Sequence, residues 1–124
     1  MKRLLLLILL ATGCKDAETI AHTPAPPPPP LGNAGRGREL IAQYGCNVCH
    51  LVPGVEGPRG RLGPSLQGVA SRPSISEGTV PNTPENLVRF IQNPAALNPQ
   101  SAMPPLSLPL ADAQDIAAYL GTLR

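Results

Sequence analysis

The sequence predicts a small all-α domain of three to four helices, with long loops rich in proline and glycine, built around something besides its own side chains. Three observations predict it. Three stretches carry apolar residues at helical spacing, and no stretch reads as a convincing strand hairpin. The 124 residues include 17 prolines and 12 glycines, which punctuate helices and mark loops. The chain has 2 Tyr, 1 Phe and no Trp, although aromatic rings normally bring the largest burial per side chain. A domain this small fills a core with difficulty from such material. A disulfide, a metal or a bound cofactor is expected to make up the shortfall.

Length leaves room for one domain plus tails and argues against a multidomain enzyme. The formal net charge is +2, which disfavours a strongly basic nucleic-acid binder. Lys2 and Arg3 lie in a segment expected to be removed, and without them the chain is neutral. Bulk charge therefore names no partner.

Met1-Lys2-Arg3 precedes an unbroken apolar run from Leu4 to Ala11. The run is far shorter than the about 20 residues that span a bilayer. It fits an export signal: basic start, short apolar stretch, small-residue exit. The exit, Ala11-Thr12-Gly13-Cys14, resembles the lipobox of bacterial lipoproteins, with Ala11 where Leu is usual. The resemblance implies a signal peptide over 1–13 and a lipid on Cys14, which becomes the first mature residue. An ordinary signal peptide cleaved nearby is the plainer alternative.

Residues 14–34 then read as a tether. Six prolines fall between Pro24 and Pro30, and proline without an amide donor favours polyproline II. At about 3.1 Å per residue, such a segment reaches roughly 60 Å. A semi-rigid spacer between a membrane and a domain over 35–124 is the preferred reading, ahead of a disordered tail or a proline-motif ligand. His22 lies in this segment and carries no assigned role.

The first helix is expected from Gly37 to Gly45, with Leu40, Ile41 and Tyr44 on one face. It leads into Cys46-Asn47-Val48-Cys49-His50. A C-x-x-C-H run reads as c-type heme attachment. The chemistry explains the spacing. Two thiols add across the two vinyl groups, and residues three apart share one face of a helical turn. The next residue turns an imidazole over the ring plane, so His50 is the expected proximal ligand. A structural zinc site needs four ligands, and beyond these three only Cys14 and His22 remain. A thioredoxin-like motif needs a βαβ context that is lacking. A bare Cys46–Cys49 disulfide stays open for an exported protein. Two cysteines for heme and Cys14 for lipid leave none over, and heme, a large apolar body, replaces the missing rings in the core.

Residues 51–82, rich in glycine and proline, are expected as loop with one short helix. Such a loop would be suspect in an ordinary domain; around heme it has something to pack on. Thr83-Pro84-Glu85 supplies a cap, a first-turn proline and an acid favoured by the helix dipole. Leu87, Phe90 and Ile91 form the apolar stripe of that helix, and Pro94 ends it. Pro109 opens the last helix, with Asp112 and Asp115 near its start and Ile116, Tyr119, Leu120 and Leu123 on its apolar face.

The iron's second ligand must come from His, Met, Cys, Tyr or nowhere. Met103 is the only methionine besides Met1, and two following prolines restrain its backbone. The plain alternative is a gap-filling core methionine. With the heme motif present, Met103 is the expected ligand, ahead of Tyr44 and Tyr119.

These features together resemble class I monoheme cytochromes c. The C-N-V-C-H motif, Leu62-Gly63-Pro64-Ser65-Leu66, the late Met103-Pro104 and a last helix with Ala118-Tyr119-Leu120 stand in that family's order. The segment TVPNTPENLVRFIQNP is also similar to cytochrome c domains attached to subunit II of some heme-copper oxidases. The resemblance implies a small cytochrome c fold wrapped around one covalent heme c. It implies that the Pro64 carbonyl accepts from the proximal histidine, that Arg72 pairs with a heme propionate, and that the first and last helices cross with Gly37 facing Tyr119 or Leu120. The family's tryptophan near the propionates has no counterpart here.

The expected function is one-electron transfer on the periplasmic side of a bacterial membrane. Two strong axial ligands leave the iron no open site for a small-molecule substrate. The expected partners are redox proteins, such as an oxidase, a quinol-oxidising complex or a dehydrogenase, docking at the attachment edge near Cys46 and Cys49, with no nucleic acid. Arg59 and Arg61 favour acidic partners there, or are simply solvated. The alternative is a heme enzyme or a gas- or peroxide-binding protein with a labile sixth ligand. A peroxidase usually needs an acid–base residue above the iron, and the domain has no histidine besides His50.

Overall fold

The structure is a computed structural model and describes residues 32–124. The expected signal peptide, Cys14, His22 and the proline run lie outside the described residues.

Helix α1 runs over Ala34–Gln43, three residues ahead of the expected start at Gly37. The cap lies upstream of the apolar stripe. Asn33 is extended, and its side chain accepts from the Arg36 amide at 3.0 Å, satisfying one of the orphan donors of the first turn. Packing begins at Gly32, within the stretch expected as tether. A Cβ there would lie 2.6 Å from the Asp115 amide nitrogen.

Gly45, at φ 72°, separates α1 from the single turn α2 (Cys46–Cys49). Glycine enters this left-handed backbone without a Cβ penalty. The following loop is held by polar contacts rather than by regular structure. The buried Asn47 side chain donates to the Glu56 carbonyl at 3.0 Å. The Gly60 amide donates to the Asn47 carbonyl and the Gly63 amide to the Cys49 carbonyl, both at 2.9 Å. The one short helix expected in 51–82 is the 3-10 turn Val69–Ser71.

The loop also contains a hairpin that the alternation pattern did not predict. Strands β1 (Ser74–Ile75) and β2 (Val80–Pro81) pair antiparallel, Ser74 with Pro81 and Ile75 with Val80. Two residues are too few for a period of two to show. Tertiary contacts support the hairpin: the Asn82 amide donates to the carbonyls of Val69 at 2.8 Å and Arg72 at 2.9 Å.

Helix α3 (Pro84–Gln92) is capped by Thr83, whose hydroxyl accepts from the Asn86 amide at 3.2 Å. Leu87, Val88 and Ile91 are buried, and Phe90 is half-buried. Pro94 ends this helix and starts the single turn α4 (Pro94–Leu97). Pro109 opens α5 (Leu110–Leu120). Among the described residues, regular structure is thus five α-helices, two of them single turns, one 3-10 turn and one minimal ladder.

Helix α5 packs against both α1 and α3. Ile41 from α1 and Ile116 from α5 are fully buried at their contact with the core cluster. Gly37 sits at the crossing as a small residue, but not opposite Tyr119 or Leu120. Its missing Cβ would overlap the backbone of Asp115 and lie 3.0 Å from the Ile116 amide nitrogen. Arg36 bridges the two helices at this crossing. Its guanidinium pairs with Asp112 at 2.5 Å and with Asp115. The Tyr44 hydroxyl donates to Asp112 at 2.7 Å, and the Asn33 amide donates to Asp115 at 2.7 Å. The two acids near the start of α5 therefore bind α1 to α5.

The Tyr44 hydroxyl, and after it the Arg36 guanidinium, hold the Asp112 carboxyl below its usual range, while burial pushes the other way. A depressed carboxylate contributes stability that is complete above the unfolded value of about 4 and is lost as pH falls through the folded value. The thermal midpoint of Asp112→Asn should therefore lie below that of the parent chain at pH 6, with the gap closing as both are taken below about pH 4. A gap that stays constant down to pH 2 would show that Asp112 is not ionised in the fold.

Candidate functional site

His50 follows α2 in an extended conformation, φ −110° and ψ 144°. Its Nδ1 lies 2.7 Å from the Pro64 carbonyl oxygen. With the proton on Nδ1 the ring donates to that oxygen, leaving the Nε2 lone pair for a metal. Gly63 allows the loop to lie flat on the imidazole, since a Cβ there would stand 2.6 Å from Nδ1. The Leu62-Gly63-Pro64 run is thus both a turn and a brace for the ring.

His50, Pro64, Cys46 and Met103 line one cavity. Its walls are apolar: Ile41 from α1, Leu87 and Ile91 from α3, Ile116 and Leu120 from α5. Arg72 and Ser76 line it too. Cys46 and Cys49 are both half-buried and are not joined to one another. Burial pushes the Cys46 thiol above its ordinary range. Met103 is half-buried in the loop after α4, where its amide donates to the Ser101 hydroxyl at 3.3 Å.

Arg72 is tied to the loop that carries Pro64. Its Nη2 donates to the Ser65 carbonyl at 2.5 Å and to the Gln67 carbonyl at 2.9 Å. Five guanidinium donors are available in all, so this anchoring does not exhaust them. The two tyrosines named as substitute ligands have other partners. Tyr44 donates to Asp112, and the Tyr119 hydroxyl donates to the Pro53 carbonyl at 2.7 Å. The described residues hold no cluster of three or more His, Cys, Asp or Glu suited to a metal.

Sequence reasoning missed Ser76, Asn47 and Asn82. Asn47 is the x of C-x-x-C and carried no signal of its own. Asn82 lies in a turn-like Pro-Asn-Thr-Pro run that reads as a helix start. Ser76 faces the cavity through a hairpin that periodicity could not reveal.

The residues present fit a covalently held heme. Two cysteines stand on one turn, the first of them lining an apolar cavity that an imidazole and a thioether also line. The apolar walls match a flat apolar body, and Arg72 puts a guanidinium on the same cavity. Bound there, heme c supplies a centre that takes up and gives back one electron.

Comparison with known proteins agrees. The Cytochrome c family matches residues 34–124. Cytochrome c-552 of Bradyrhizobium diazoefficiens is 35% identical over 92 residues, covering 74% of this chain and 76% of that protein. Two solved structures share the fold at TM-score 0.57: cytochrome c2 of Rhodobacter capsulatus, with 20% identity over 73% of this chain and 97% of that one, and cytochrome c2 of Rhodobacter sphaeroides, with 22% identity over 74% and 96%. The chain belongs to the class I cytochrome c family. Its cofactor is covalent heme c and its chemistry is heme-based electron transfer.

Proposed function

We propose that this protein is a one-electron carrier whose heme iron is held by His50 and Met103, attached through Cys46 and Cys49. The observation that carries the reading is that His50 and Met103 line the same apolar cavity as Cys46. A thioether opposite an imidazole fills both axial positions and favours the reduced state. Pro64 orients His50, and Arg72 serves the propionate edge. The chain is exported, and a lipid on Cys14 with the proline-rich tether holds it at the periplasmic face of a bacterial membrane.

Partners are redox proteins of the respiratory or dehydrogenase kind, reached across the attachment edge. Support for that edge is an exposed apolar pair, Val48 at 56% and Leu62 at 89% exposure. The Gly60–Asn47 and Gly63–Cys49 bonds hold the Leu62 loop against α2. Exposed Arg59 and Arg61 flank Leu62's side of it and bias encounter toward acidic surfaces.

The test is an optical and mass measurement on protein made with heme-maturation machinery. One heme adduct, loss of residues 1–13, an acylated Cys14 and a weak far-red sulfur-to-iron band in the ferric state are expected. A high-spin ferric spectrum that changes at once with cyanide would sink the ligation. A colourless product with free or mutually bonded thiols would sink the heme.

A further inference from the structure

One polar side chain at the cavity has no part in the reading above. Ser76 lines the cavity, as Arg72 does. It sits in the β1–β2 turn at φ 52°, and Glu77 follows at φ 57°. Two successive non-glycine residues in the left-handed region are disfavoured and persist only where the surroundings hold them. The Ser76 carbonyl accepts from the Thr79 hydroxyl at 2.6 Å and from the Thr79 amide at 3.1 Å. The side chain is held separately: the Asn98 amide donates to Ser76 Oγ at 2.9 Å. A hydroxyl has one proton and two lone pairs. Asn98 occupies a lone pair, and among the described residues the proton is donated to no acceptor.

A heme brings two carboxylates to its cavity, and a half-buried carboxylate needs donors. Arg72 offers charge, part of it already committed to the Ser65 and Gln67 carbonyls. No tryptophan N–H exists in this chain. We propose that the Ser76 hydroxyl donates to a heme propionate beside Arg72, and that Asn98 orients it for that purpose. Ser76 is a positioning residue for the cofactor's anionic edge. The inference rests on heme occupying this cavity and is independent of which side chain is the sixth ligand.

A donor on the propionate offsets negative charge that otherwise stabilises ferric iron. Its removal moves the redox balance toward the ferric form. The test uses holoprotein as the parent chain, Ser76→Ala and Ser76→Gly. Ser76→Gly removes the same hydroxyl and also relieves the left-handed strain, so backbone effects separate from the loss of the donor. Asn98 is a poorer target, because its side-chain oxygen also accepts from the Gln100 amide and its carbonyl from the Ser101 amide, both at 3.0 Å, ahead of Met103.

Both Ser76 variants should raise the ferric-to-ferrous ratio, at fixed ambient potential, by about threefold or more. The propionate vibration in resonance Raman should shift in both. An unchanged ratio and an unchanged propionate vibration in Ser76→Gly overturn the proposal. A shift in Ser76→Ala that Ser76→Gly lacks traces to backbone strain and overturns it too. The far-red band of the parent chain, recorded in parallel, reports on Met103 alone. Its absence would remove the proposed ligation and leave the Ser76 comparison standing.

Discussion

Gly37→Ala should cost the folded domain about 3 kcal/mol or more, the upper end of what overpacking a core usually costs. The reason is that the added Cβ meets backbone and not a side chain that can swing away. It would overlap the Asp115 carbonyl and press on the Ile116 amide. Relief requires α1 to lift off α5. That motion pulls Arg36 from Asp112 and Asp115 and draws Ile41 from the core it shares with Ile116. Since 1 kcal/mol moves the midpoint of a domain this size by roughly 4–8 °C, a fall of at least about 12 °C is expected by thermal melting of the holoprotein. Gly35→Ala is the control. Gly35 is exposed on the same helix, and a Cβ there meets only Asn33 Oδ1 at 3.3 Å. Alanine is the better helix former by about 1 kcal/mol, so this variant should melt at or above the parent temperature. Equal melting of the two variants would mean that the α1–α5 approach is not as close as described.

Met103→Ala is expected to leave a folded, red protein whose iron has lost one ligand. The far-red band should vanish, cyanide should bind the ferric form at once, and the ferric share at fixed ambient potential should rise on the order of tenfold or more, because thioether donation favours the ferrous state. The residue is half-buried, so truncation costs less than the about 2–5 kcal/mol of a fully buried methionine, and folding should survive it. Met103→His separates ligation from packing. It refills the axial position, so cyanide binding should be slow again, but the sulfur band stays lost and the balance stays ferric. If Met103→Ala keeps the band and excludes cyanide, the sixth ligand is another group. Among the described residues Tyr44 and Tyr119 are poor replacements, each already donating elsewhere.

The heme motif was legible because its chemistry is local. Cys46, Cys49 and His50 stand in one five-residue run, so reading the residues in order is enough to find the motif. The three long helices were legible for a related reason: their apolar stripes and caps, such as Thr83 before Pro84, repeat within one or two turns. Met103 was named by elimination in a chain with no other methionine outside Met1, and it lies on the cavity wall. Even there, periodicity misjudged the edge of α1, because Asn33 caps the helix upstream of its first buried stripe residue.

What only the tertiary structure decided is which distant residues meet. Asp112 and Asp115 read only as acids near a helix start, yet they bind Arg36 some 80 positions away, and Gly37 meets α5 at Asp115, one turn before Tyr119. The Ser74–Pro81 hairpin is too short to carry a period, and it delivers Ser76 to the cavity through backbone that propensity argues against. Asn47 and Asn82 satisfy loop carbonyls no local rule could assign to them. Local order follows from interactions between near neighbours, which the chain itself spells out. Register, loop course and the polar edge of the cavity depend on closing long loops, and their geometry exists only once the core has formed.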